Sequence, residues 1–236
     1  MDNLFIARHF DWARKETPRV RFVNALLARS RFGARLVSAG SGDMSSVEER
    51  INIYHLVSQL LAFDVPGAFV ECGCLEGESV ALLQMILDMH EADRTVHAFD
   101  AFVDPPADRL RGHFQRLGLK LPVLHPGLLA DTLHELPEQI GFAHADLGPV
   151  PWVQQGPGAS RAGLHEALDL FLEHVYPRVV PRGIILLQDY HPLGLDKVYD
   201  VNPEVRAVTD RFFADKPEKI ITLYGGQYSH AYVRKA

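Results

Sequence analysis

The stretch Ala68 to Ser79, AFVECGCLEGES, limits what this chain can fold into more than any other. Ala68-Phe69-Val70 reads as a short buried strand and Glu71 to Glu78 as a turn carrying two glycines. Val80 to Met89 (VALLQMILDM) has the length and apolar spacing of a helix. A chain that runs from a strand through glycines into a helix start brings backbone close to a ligand, with N–H groups directed at it. The next strand, Thr95 to Phe99, ends in Asp100, about twenty residues past the second glycine, where a doubly wound sheet holds ribose hydroxyls with an acid. The expectation is a nucleotide-like cofactor over Gly73 and Gly77.

The spacing narrows the choice of cofactor. A dinucleotide fingerprint G-x-G-x-x-G would need glycine where Leu75 stands, and that glycine is what lets backbone approach a pyrophosphate. No lysine follows Gly77, so the Walker pattern is absent too. What remains is E-x-G-x-x-x-G, with the acid Glu71 just ahead of the first glycine. A carboxylate there suits a cationic, amino-acid-bearing cofactor: S-adenosylmethionine (SAM) has a sulfonium, an α-amino group and a ribose, and no phosphate. The alternative is a surface acid with two turn glycines and no ligand.

At 236 residues the chain suits one α/β domain with additions. A net charge of −6 gives no global case for a nucleic-acid partner. No apolar run reaches the roughly 18–20 residues of a membrane span, and MDNLFIARHFDWARK does not read as a secretory leader. A cytoplasmic protein with no membrane partner is expected. Cys72 and Cys74 flank Gly73; adjacent strand positions face opposite ways and two sulfurs alone make a poor zinc site, so they read as a reduced pair that packs.

Residues 1–43 form a locally basic extension, with Arg8, Arg14, Arg19, Arg21, Arg29, Arg31 and Arg35, and residues 44–236 form the cofactor-binding domain. Ser46 and Glu49 have capping-box spacing ahead of a helix whose apolar stripe runs from Val47 to Leu61. Further strands are expected at Leu121–Leu124, Ile140–Ala145 ending in Asp146, Gly183–Leu187 ending in Gln188-Asp189-Tyr190, Lys219–Tyr224 and Tyr228–Arg234. Helices fall over Leu164–Tyr176 and Pro203–Ala214, and GPVPWVQQGPGASR is longer than most strand–helix connections. Gly225-Gly226 supplies a tight turn between the last two strands. A chain that closes in strand, Gly-Gly, strand adds an antiparallel hairpin to a parallel sheet. With E-x-G-x-x-x-G after strand one and Asp100 after strand two, this is the layout of class I methyltransferases: an α/β, Rossmann-like sheet of seven strands, the last antiparallel, with an N-terminal helical extension.

Over roughly Met44 to Lys235 the chain resembles the macrocin O-methyltransferase family, which methylates sugar hydroxyls of macrolides and related natural products. The resemblance rests on SSVEERINIYHLV, GAFVECGCLEGES, HAFDAF, GLLADTL, AHADL and GIILLQDY in that order. It implies SAM as cofactor, Mg²⁺, a sugar or glycosylated natural product as acceptor, and a homo-oligomer. Carried over, Glu71, Gly73, Gly77 and Ser79 line the methionine end of SAM. Asp100 takes the ribose, and Ala130 and Asp131 lie near the adenine. Asp146 and Asp189 match the family's metal carboxylates. Two departures stand out: His144 where D-x-D-L-Y has an acid, and Gln188 where a second acid precedes the tyrosine.

A sugar hydroxyl must lose its proton as it attacks, helped by a positioned base or by a metal that lowers its pKa. Two versions of the site follow. In one, Asp146, Asp189 and the amide oxygen of Gln188 hold a weak Mg²⁺; in the other there is no metal and Asp146, His144 or His191 is the base. Bland alternatives are turn acids at Asp146 and Asp189 and a hydrogen-bonded core histidine at His144. N-methylation of an amino sugar would need no metal, and a non-catalytic binding module would need no cofactor.

Overall fold

The computed structural model describes residues 47–103, 106–147, 161–191, 203–224 and 229–236. The basic extension, the boundary expected at residue 43, the loop around Trp152 and the Gly225-Gly226 turn lie outside the described residues.

Strand β1 (Ala68–Cys72) lies between β2 (Val96–Asp100) and β4 (Ile140–Ala145); β3 (Val123–Pro126) is the edge beyond β2. On the other side follow β5 (Val179–Leu187), β7 (His230–Arg234) and β6 (Ile220–Leu223), giving the order β3-β2-β1-β4-β5-β7-β6. All pairings are parallel except those of β7, which runs antiparallel to both neighbours. The expected seven strands, with the last one reversed, are therefore present. From β1 the chain winds outward to β3, then returns to β4 on the opposite side, so the strand order reverses between β1 and β4. A crevice at the C-terminal ends of those two strands is where such sheets bind ligands.

The helices are α1 (Val47–Ala62), α2 (Glu78–Met89), α3 (Ala107–Leu117), α4 (Leu129–Thr132), α5 (Arg161–Val175) and α6 (Glu204–Phe213). Strand alternation separates two faces. Val70, Cys72, Ala143 and Leu187 join one apolar core with Phe171 of α5 and Phe213 of α6. Phe69 and Phe142 point the other way and meet edge to face at 5.7 Å between ring centroids.

Two strands differ from expectation. The ladder of β3 with β2 starts at Val123, one residue beyond Pro122, which has no N–H to contribute. Strand β5 begins at Val179 because Ile140 pairs there before a register shift; the irregularity passes through Arg182, whose φ is 71°.

Candidate active site

The turn after β1 owes its glycines to close packing. Gly73 has φ +85°, and a Cβ there would fall 1.9 Å from the backbone oxygen of Asp146 at the tip of β4. Gly77 has φ +82°, and a Cβ would meet Leu110 Cγ of α3 at 2.6 Å. Their N–H groups are used inside the protein, Gly73 donating to Phe99 O at 2.9 Å and Gly77 to Cys74 O at 2.7 Å. The expectation that these donors face a ligand is corrected: the glycines let the turn lie against β4 and α3.

Asp100 closes the turn from the other side. Its Oδ2 accepts from the N–H groups of Cys74 at 2.7 Å and Leu75 at 3.0 Å, and its Oδ1 from Phe102 N at 2.8 Å. A carboxylate has about four acceptor sites, so roughly one stays open for a ligand hydroxyl. Leu75 and Phe102, the outer donors, have φ of 47° and 49°, a conformation that side-chain-bearing residues keep only where surroundings enforce it. Gly127 N donates to Asp100 O at 3.0 Å, which brings the loop after β3 to the same rim; Ala130 and Asp131 follow it, both exposed.

Beneath the rim runs a buried polar row. Glu71 is 0% exposed; Ser79 Oγ donates to its Oε1, and His144 Nδ1 lies 3.2 Å from its Oε2. The two sit side by side because Glu71 and His144 are in register across β1 and β4. Burial disfavours the His144 cation, yet the hydrogen bond to Glu71, the Glu71 and Asp146 charges and the Gln188 side chain together outweigh it and raise the ring's pKa. Glu71 has no exposed surface and orients Ser79 and His144. His144, 2% exposed, is buried beside it, and its Nε2 has no hydrogen-bond partner among the described residues.

Gln188 is buried as well. Its amide nitrogen donates to Glu49 of α1, and its oxygen accepts from His230 of β7. The oxygen that Gln188 was expected to lend to a metal is buried against His230 instead. Glu49 and His230 had no sequence signal as a pair, since partners on α1, β5 and β7 meet only through the fold.

Asp146 and Asp189 leave the tips of β4 and β5. Burial pushes Asp146 up to about 7, with the His144 charge opposing and the Asp189 charge adding. Asp189 is pushed up to about 6 by burial, again opposed by His144. Asp189 also has φ of 60°. His191 Nε2 is 3.7 Å from Asp189 Oδ1, and burial lowers the pKa of that imidazole. Carboxylates at the tips of neighbouring strands are the hard oxygen donors a Mg²⁺ ion takes, usually with water or substrate completing its shell. Among the described residues no group of three or more His, Cys, Asp or Glu side chains could hold a metal. Both cysteines are free and buried, and burial pushes each thiol well above its ordinary range, so they pack without reacting.

No protein-family model matches the chain. A Streptomyces olivaceus protein named 8-demethyl-8-(2,3-dimethoxy-alpha-L-rhamnosyl)-tetracenomycin-C 4'-O-methyltransferase is 28% identical over 154 residues, which cover 59% of this chain and 59% of that protein. The match thus spans less than two thirds of the relative's length. The solved O-methyltransferase NovP superposes with a TM-score of 0.69 at 19% identity, covering 99% of this chain and 98% of that one. CalS11, a TDP-rhamnose 3'-O-methyltransferase of calicheamicin biosynthesis, gives 0.57 at 20% identity over 97% of this chain and 92% of its own. These likenesses show the class I methyltransferase fold.

Proposed function

We propose that the chain is a SAM-dependent O-methyltransferase of the macrocin type, moving a methyl group to a sugar hydroxyl of a small-molecule natural product. The observation that carries this reading is the convergence at the strand-order reversal of Asp100, the Gly73–Gly77 turn, and the acids Asp146 and Asp189. The names of the Streptomyces relative and of CalS11 support a sugar as acceptor. A homo-oligomer in the cytoplasm completes the proposal.

The chemistry is an in-line displacement: the acceptor oxygen bonds to the methyl carbon as the carbon–sulfur bond breaks, and S-adenosylhomocysteine (SAH) leaves. Alignment of the three atoms contributes most, since well-oriented reactants recover about 7–11 kcal/mol of barrier. The proton of the hydroxyl passes to Asp146, which leaves the tip of β4 with its backbone against Gly73 of the turn; a positioned base contributes about 10²–10⁴-fold. Asp189 and His191 flank the acceptor side. Asp146 and Asp189 are the residues that would hold Mg²⁺, which when bound lowers the pKa of a coordinated hydroxyl.

The test incubates the protein with SAM and a rhamnosylated aromatic aglycone and follows SAH release and product mass. Gain of one methyl on the sugar, lost in Asp146→Asn, is expected. Sensitivity to EDTA with recovery in Mg²⁺ is expected in the same assay. Methylation confined to an amino-sugar nitrogen would replace the acceptor assignment, and absence of both SAH and SAM binding would remove the reading.

A further inference from the structure

A side-chain clamp below the crevice joins the first helix to the tips of two strands. Glu49 comes from the first turn of α1, Gln188 follows β5 and His230 opens β7; they are 0%, 4% and 0% exposed. Gln188 donates to Glu49 Oε1 and accepts from His230 Nε2, and that same Glu49 oxygen lies 3.4 Å from His230 Nε2. A carboxylate only accepts and an amide donates only through nitrogen, which fixes both the direction of the amide and the Nε2–H tautomer of His230. The Gln188 backbone is held too, its N–H donating to Ala145 O at 2.9 Å.

The residue after this clamped glutamine is the one in a strained conformation. Asp189 turns out of the strand at φ 60°, and Tyr190 N then donates to Ser229 O at 2.9 Å, one residue before His230. Aspartate enters the left-handed region more readily than most residues with a side chain, and here both neighbours are tied to the start of β7. Helix α1 has other anchors: Arg50 pairs with Glu78 at 2.9 Å, Asn52 donates to Tyr224 O at 3.0 Å, and Gln59 accepts from Arg234 at 3.2 Å. The Glu49 contact is the one that reaches the β5 tip, through Gln188.

We propose that Glu49 is a positioning residue for methyl transfer: through Gln188 and His230 it holds the β5 tip in the left-handed turn by which Asp189 leaves the strand, next to the β4 tip that ends in Asp146. The kinetic part of this inference rests on the methyltransferase reading; the conformational part does not.

Crystal structures and steady-state kinetics of Glu49→Ala and Glu49→Gln test it. In Glu49→Ala, Asp189 is expected to relax to negative φ, and kcat to fall by up to about 10²-fold, as misplacement of about 1 Å does. KM for SAM and acceptor should move far less than kcat. Glu49→Gln keeps an oxygen for the Gln188 N–H and is expected to restore both the turn and the rate. An Asp189 that stays left-handed in Glu49→Ala overturns the proposal, as does a lowered melting temperature with kcat unchanged. Should Glu49→Ala not fold, Glu49→Ala/Gln188→Leu/His230→Phe removes all three members of the clamp together and leaves none of its donors or acceptors buried and unpaired, and the same relaxation of Asp189 is required of it. If the native protein transfers no methyl group, the reading of its function fails while the crystallographic comparison still decides the clamp.

Discussion

Asp100 shows how far a single residue can be read from sequence. Its place at the end of the second strand is local information, and the structure finds it there. That three backbone N–H groups already occupy its oxygens depends on the fold of the turn facing it. Asp100→Ala would remove the remaining acceptor for a ribose hydroxyl and strip Cys74, Leu75 and Phe102 of their partner. Hydrogen bonds to a charged group contribute about 1.5–3 kcal/mol each, so SAM affinity should fall by at least roughly tenfold in calorimetry; unchanged affinity would take Asp100 out of the site. Glu71 shows the opposite case. A carboxylate beside a glycine turn reads as a ligand to SAM, yet its partner His144 lies on β4, three strands later in the chain, and together they form a buried pair. No local spacing distinguishes the two outcomes.

Among the elements, β1, α2, β2 and β4 were legible because hydrophobic runs bounded by glycines or acids leave few registers. The start of β5 was not, since Pro181-Arg182-Gly183 reads as a loop until β4 pairs across it at Val179. The turn between β1 and α2 carries a testable asymmetry. Gly73→Ala drives a Cβ into the Asp146 backbone in a left-handed conformation, and neither partner can move without shifting β4. Left-handed geometry costs about 1–2 kcal/mol and overpacking about 1–3 kcal/mol, so roughly 2–5 kcal/mol should be lost in denaturant titration. Gly77→Ala meets the Leu110 side chain at 2.6 Å rather than backbone at 1.9 Å, and should cost less. The reverse ranking would mean that Asp146 is not held against the turn.

At the scale of the whole molecule, buried histidines make stability depend on pH. Burial, aided by the His144 charge, lowers the pKa of His230 well below 6.5. The unfolded chain therefore binds a proton near pH 6.5 that the folded one refuses; the stability is present above that pH and is lost as pH falls. The raised Asp146 and Asp189 act with the opposite sign, their stability present in acid and lost as pH rises toward about 7 and about 6. A comparison isolates the histidine: from pH 7.5 to 5.5 the native protein should lose more stability than His230→Gln, and equal losses would contradict a neutral buried ring. Among the described residues no helix is long and apolar enough to cross a membrane.

A crystal structure of the protein soaked with SAH puts the central claim to its most direct test. The account predicts adenosine hydroxyls within hydrogen-bond reach of Asp100, and the sulfur above the Gly73–Gly77 turn with its open side toward Asp146 and Asp189. A crevice left empty at saturating SAH, or filled in parallel soaks by a pyrophosphate nucleotide, would contradict it.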